Sequence, residues 1–185
     1  MAQNFVYFDL ETQRSFNDVG GSDRISDMGM SVGVTFSTAR GGYMIYDESN
    51  VNQLIDELLE ADLVVGFNHI HFDYAVLMGY TILDLKTQTR NLDMLVEIEK
   101  KVEHRPKLDA IAEETIGAGK TAFGGDAIKW WRQGKVMEVA EYCCYDVKVT
   151  KMVYEFGARN GLVKYKNRFN QYLEVPVTEW RLPEE

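Results

Sequence analysis

The sequence predicts an α/β fold built on a five-stranded mixed sheet, and two features of the pattern carry that expectation. The first quarter reads as three β-strands in series joined by turn residues, and the next stretch alternates a helical period with a short run that is apolar at every position. Strands in series pair antiparallel, whereas strand-helix-strand units pair parallel, so the sheet is antiparallel at one side and parallel at the other. Helices flank the sheet, and a C-terminal β-hairpin closes the chain.

The first strand is Phe5 to Glu11, apolar through Phe5-Val6-Tyr7-Phe8. Thr12 to Ser26 is polar, contains Gly20-Gly21 and reads as a mobile loop. Met28 to Phe36 is the second strand, with Met30, Val32, Val34 and Phe36 alternating, and Arg40-Gly41-Gly42 turns into a third at Tyr43-Met44-Ile45. Val51, Leu54, Ile55, Leu58 and Leu59 have helical spacing, with Ser49 or Asn50 as the cap. Leu63 to Phe67 is a fourth strand covered on both faces. A helix near Phe72 to Met78 follows, and Tyr80 to Leu85 is the fifth strand. The remainder is mostly helical: Leu92 to Val102, Leu108 to Ile116, Ala127 to Arg132, and a long helix from Val136 to Arg159 that Gly161 terminates. Leu162 to Lys166 and Gln171 to Val175 form the hairpin. With no internal repeat and no linker, residues 1–185 read as a single domain.

Hydrophobic residues make up 45% of the chain and charged residues 26%, as in an ordinary globular protein. No apolar stretch approaches the ~20 residues of a membrane span, so no membrane partner is expected. The N-terminus lacks the pattern of a signal peptide. Cys143 and Cys144 are adjacent within a helical stretch and cannot easily pair, and free thiols point to the cytoplasm. The formal charge of -9, from 29 acids and 20 bases, argues against a broad grip on duplex DNA. It is compatible with an enzyme acting at a nucleic-acid end, where metal ions supply local positive charge.

Three sequence features carry chemistry. Asp9 and Glu11 are two apart at a strand tip and project side by side, an arrangement whose repulsion a divalent cation resolves. Asp73 lies in Gly66-Phe67-Asn68-His69-Ile70-His71-Phe72-Asp73, where a buried strand gives way to a helix and ligands of α/β sheets collect. Tyr142 and Asp146 are four apart on one helix face. Each feature alone has an ordinary structural reading: a strand entering a loop, an acid at a helix start, a solvated acid beside a half-buried tyrosine.

In order, Asp-x-Glu, Asn-x-x-x-Phe-Asp and Tyr-x-x-x-Asp form a pattern that resembles the three motifs of the DnaQ-like 3′-to-5′ exonucleases, in the tyrosine-containing (DEDDy) branch of the RNase H-like superfamily. The resemblance spans residues 5 to about 160, and Leu108-Asp109-Ala110-Ile111-Ala112 is similar to a structural helix those enzymes carry. Phe8-Asp9-Leu10-Glu11-Thr12-Gln13-Arg14-Ser15, the segment from Asp62 to Asn68 and Gly117-Ala118-Gly119-Lys120 are most similar to the YprB-like RNase H-like domains, some of which stand beside helicases. The resemblance implies an RNase H-like fold in which Asp9, Glu11, Asp73 and Asp146 hold two Mg²⁺ or Mn²⁺ ions, Asp9 bridging them. It implies hydrolysis of terminal phosphodiester bonds at 3′-ends of single-stranded DNA or RNA, releasing nucleoside 5′-monophosphates by a two-metal mechanism. Tyr142, a poor base at neutral pH, would orient the attacking water. The backbone around Leu10 and Thr12, with Asn68 nearby, would hold the terminal nucleotide, and a helicase is an implied partner. The histidine-containing branch places histidine five residues before the last aspartate; here that residue is Glu141. Two alternatives stay open: a structure-specific endonuclease on the same scaffold, and a non-catalytic nucleic-acid or helicase-associated module.

Other signals weigh less. Gly117-Ala118-Gly119-Lys120-Thr121 lacks the first glycine of a P-loop, since Glu114 stands there, and it follows a helix rather than a strand. Lys120 reaching a substrate phosphate competes with a simple helix stop at this loop. Trp130-Trp131 fits packing better than a base-stacking platform. His69 and His71 fit structural or substrate-side roles better than Mg²⁺ ligation. His104-Arg105-Pro106-Lys107 and Lys164-Tyr165-Lys166-Asn167-Arg168 are the densest basic patches.

Overall fold

The structure, a computed structural model, describes residues 2–102, 104–118 and 127–184. Strands β1 (Phe5–Thr12), β2 (Met30–Ser37), β3 (Gly42–Tyr46), β4 (Leu63–Gly66) and β5 (Asn91–Asp93) form one sheet in the order β3-β2-β1-β4-β5. β1 and β3 both pair antiparallel with β2, whereas β4 lies parallel to both β1 and β5. Helix α1 (Phe16–Val19) follows β1, and α2 (Val51–Glu60) joins β3 to β4. Helices α3 (Asp73–Leu77) and α4 (Leu85–Gln88) join β4 to β5. They are followed by α5 (Met94–Glu99), α6 (Leu108–Ile116), α7 (Ala127–Arg132) and α8 (Val136–Asn160). β6 (Leu162–Lys166) and β7 (Tyr172–Pro176) make the separate C-terminal hairpin.

The two faces of β1 feed two cores, as a period of two dictates. Val6, Phe8 and Leu10 pack with Leu54, Ile55 and Leu58 of α2 and with Val76 and Leu77 of α3. Phe5 and Tyr7 pack with Val139, Cys143, Val147 and Tyr154 of α8 on the opposite face. Helices thus cover both sides of the sheet centre, which is why β2 is buried along almost its whole length instead of alternating. The 25-residue α8 ends where Gly161 adopts φ 73° and donates its N–H to the Gly157 carbonyl.

Several expectations need correction. Tyr80 to Leu85 is not a strand: the Tyr80 hydroxyl anchors a loop by accepting from Met30 N–H and donating to Glu48, and Ile82 is fully exposed. The fifth strand is Asn91–Asp93, three residues too short and polar to show a period. Leu92 therefore lies in β5 and the next helix begins at Met94, because Asp93 accepts the N–H groups of Leu95 and Val96 and caps it. The Thr12 to Ser26 segment carries α1, closed by a reciprocal Ser15–Asp18 capping box, and a 3₁₀ turn at Ser22–Asp27. Asn50 precedes α2 but makes no side-chain bond into it; its side chain accepts from Asp47 N–H, whose own carboxylate caps the 3₁₀ turn Glu48–Asn50. Residues 119–121 of the glycine-lysine loop, Lys120 included, lie outside the described residues. Among the described residues no helix is long and apolar enough to cross a membrane.

Candidate metal centre

The strand lengths create the site. β1 pairs with β4 only from Phe5 to Tyr7, so beyond that point the β4-side edge of β1 has no ladder partner. The Leu10 N–H on this free edge donates instead to Asp73 Oδ1 at 3.0 Å, which ties the first residue of α3 to the strand tip. Asp9 and Glu11 continue the face of Phe5 and Tyr7, the face that α8 covers, and they meet Asp146 there. One oxygen from each of Asp9, Glu11 and Asp146 lies within 4.8 Å of the other two. These three carboxylates are half-buried, whereas Asp73 is fully buried beside them.

Crowding and burial penalise ionisation throughout the cluster. Burial, followed by repulsion from Asp73, Asp146 and Glu11, holds the Asp9 carboxyl well above the usual carboxylate range. Burial and the charges of Asp146 and Asp73 push Glu11 up to about 8. Asp73 is raised to about 7 by burial, against the opposing hydrogen bond from Leu10. Asp146 is raised to about 6, again mainly by burial, while a hydrogen bond from Tyr142 works in the other direction. Among the described residues no lysine or arginine forms an ion pair with any of the four.

The donor set fits a hard divalent cation. It offers carboxylate oxygens only, and an added cation would offset the burial and mutual repulsion that raise these acids. The nearest soft atom, Cys143 Sγ, lies 3.6 Å from Asp9 Oδ2 and 3.4 Å from the Asp9 carbonyl. Burial raises its pKa far above that of a free thiol, so it stays protonated and donates to Asp9 rather than acting as a thiolate ligand. The Tyr142 hydroxyl donates to the Asp146 carboxylate, and burial together with the charges of Asp146 and Glu11 raises the phenol strongly. Its ring meets the Trp130 ring edge-on at 6.1 Å.

The other residues singled out by sequence are distributed around this centre. Leu10 is buried with its N–H engaged by Asp73, and the buried Thr12 hydroxyl donates to the Arg14 carbonyl at 3.0 Å. Asn68 adopts φ 67°, accepts from Arg105 Nη2 at 2.8 Å, and donates its own N–H to Asp93 Oδ1 at 2.7 Å. His69 is buried, with Nε2 3.1 Å from Asn91 Oδ1 and its ring edge-on to Tyr74. His71 is exposed. Trp130 and Trp131 both pack against the α8-side core. Asp93, Cys143 and Arg105 were not marked by the sequence as supports of the site. A cap signal at Asp93, directly before Met94-Leu95-Val96, is the only one of the three with a local signature.

No family model and no curated protein matches the chain. Among solved structures it is similar to the family B DNA polymerase from the hyperthermophilic archaeon Pyrobaculum calidifontis, with a TM-score of 0.62 and 17% identity. The match covers 84% of this chain and 24% of the polymerase, so the chain spans about a quarter of that protein's length. The fold is RNase H-like. In that framework the acidic pair sits on the central strand, and the third acid comes from the helix laid across it.

Proposed function

We propose that the chain is a metal-dependent nuclease that removes nucleotides from 3′-ends of single-stranded DNA or RNA. The observation that carries this reading is the convergence of Asp9, Glu11 and Asp146 from β1 and α8 within 4.8 Å, with Asp73 locked beside them. A fold shared with a protein whose name is DNA polymerase supports nucleic acid as the substrate class.

Asp9, Glu11 and Asp146, with Asp73 beside them, would hold two Mg²⁺ or Mn²⁺ ions. When bound, such ions lower the pKa of water towards neutrality and offset the charge building on a leaving 3′-oxygen. Asp9 is repelled by all three other acids, Asp73, Asp146 and Glu11. The Leu10 N–H bond to Asp73 Oδ1 holds this fourth carboxylate at the strand tip. Tyr142 remains a phenol at any working pH, so it acts as a donor: it fixes the Asp146 rotamer and orients water, and it does not abstract a proton.

The test is hydrolysis of single- and double-stranded DNA and RNA, labelled at either end, with Mn²⁺ and with Mg²⁺. Mononucleotides released from 3′-ends are expected, and Asp9→Ala or Asp146→Ala should lower the rate about a thousandfold or more. Tyr142→Phe, which removes a ligand's hydrogen-bond partner, should cost about 10–100-fold. A discrete internal cut would identify an endonuclease instead. Intact 3′-ends with both metals and folded protein would overturn the reading.

A further inference from the structure

The two densest basic segments are far apart in sequence, yet both line one groove of about 910 Å³. Lys101, Arg105 and Lys107, between α5 and α6, line it together with Lys166 and Arg168 of the β6–β7 hairpin. Among the described residues no aspartate or glutamate lines it, in a chain whose formal charge is -9. Some of these cations are engaged: Lys101 pairs with Glu179, Lys166 with Glu114 and Arg105 with Glu99. Lys107 and Arg168 are exposed and form no ion pair among the described residues.

The groove also holds features that suit nucleobases. Phe169, at the hairpin tip, is 67% exposed, and the Arg168 guanidinium lies 4.8 Å from its ring centroid, so a flat cation and a flat ring are offered together. Tyr165, buried within the hairpin, also lines the groove. Two links run from this groove towards the metal centre. Arg105, in its wall, donates to Asn68, in the loop that leads to Asp73. Asp109, two residues beyond Lys107, lies near enough to Asp146 for its charge to act on that carboxylate.

We propose that this groove carries single-stranded nucleic acid, with phosphates on Lys107 and Arg168 and a base stacked on Phe169, and leads the strand end to Asp9, Glu11 and Asp146. The delivery step rests on the nuclease reading; the binding step does not. An acidic protein segment would satisfy the charges but would leave the Phe169 face unused, so the strand is the better occupant. In this arrangement five of the chain's 20 lysines and arginines line one path that also offers an exposed ring.

The test measures binding of a fluorescent 20-nucleotide DNA or RNA strand by anisotropy with EDTA, so that cleavage is scored separately. Lys107→Glu/Arg168→Glu should weaken binding at least about tenfold, and Phe169→Ala about tenfold. Lys107→Ala/Arg168→Ala should flatten the dependence of log affinity on log salt by about 1.4, two phosphate contacts on a single strand. The matched control Lys86→Glu/Arg90→Glu makes the same change in net charge outside the groove and should leave affinity unchanged. Equal losses in both charge reversals, an unaltered salt slope, or a poly-glutamate peptide that competes as well as the strand would each overturn the groove. Groove-dependent binding by a chain that cuts no 3′-end would sustain it and remove the nuclease reading alone.

Discussion

At Asp9 the molecule places a carboxylate where three others and a thiol surround it, and among the described residues the Cys143 S–H is the side-chain donor that reaches its Oδ2. A protonated or metal-bound acid suits that position, whereas a bare anion does not. The consequence for stability has a definite sign. Glu11 titrates near 4.5 when unfolded and near 8 when folded, so its stabilising protonated form is fully present below pH 4.5 and lost as pH rises through 8. In EDTA, Glu11→Gln, which mimics the neutral acid, should melt at the wild-type temperature near pH 4 and above it at pH 8. With saturating Mn²⁺ at pH 8 the order should reverse, because only wild type gains the bound ion. Thermal unfolding across this pH range checks it; parallel melting curves would show that Glu11 is ionised without cost. The pairing of Asp9 with Glu11 and of Tyr142 with Asp146 was legible from the periods of strand and helix. The bond of Asp73 to Leu10 was not, because it depends on β1 outrunning β4.

Among the elements, the connection from β4 to α3 decides where Asp73 and Asn68 stand, and a single carboxylate from another strand organises it. Asp93 accepts from the N–H groups of Asn68, Ile70, Leu95 and Val96, so it caps α5 and clamps the loop after β4 together. Asp93→Ala leaves those donors without a partner and should cost about 3–5 kcal/mol in urea unfolding, with weakened Mn²⁺ binding. A loss under ~1 kcal/mol would mean that water replaces the carboxylate. The helices Leu108–Ile116 and Ala127–Arg132 lie where the sequence placed them, since helical spacing is a local property. β5 was not, because three residues hold no period and the strand exists only by pairing with β4.

For the whole molecule, the C-terminal segment acts as a strap across α8. Trp180 is buried and stacks on Tyr154 with centroids 5.3 Å apart, over Gly157, where a Cβ would come within 2.7 Å of the indole. Tyr154 and Tyr7 also meet edge-on at 5.8 Å, so the strap, α8 and β1 form one packed column. Trp180→Ala should therefore lower unfolding free energy by about 3–5 kcal/mol. Mn²⁺ affinity should change little, since the acids lie at the other end of β1; denaturant titration and calorimetry separate the two. A mild loss would mean that the strap is peripheral to the fold. The same scale holds the charge asymmetry: an acidic chain gathers five lysines and arginines around one groove.

The sequence by itself determined the α/β class, the order of the three acidic motifs and the residue types that a hard cation requires. Those properties are local: alternation, helical spacing and side-chain chemistry. Tertiary structure alone decided that Asp73 is held by a backbone N–H, that Asp93 and Cys143 support the site, and that two remote basic segments share a groove. Each of these depends on where strands end relative to one another and on which helix faces pack together. No window of the chain records such distances, because they are set by the burial of the two cores against β1.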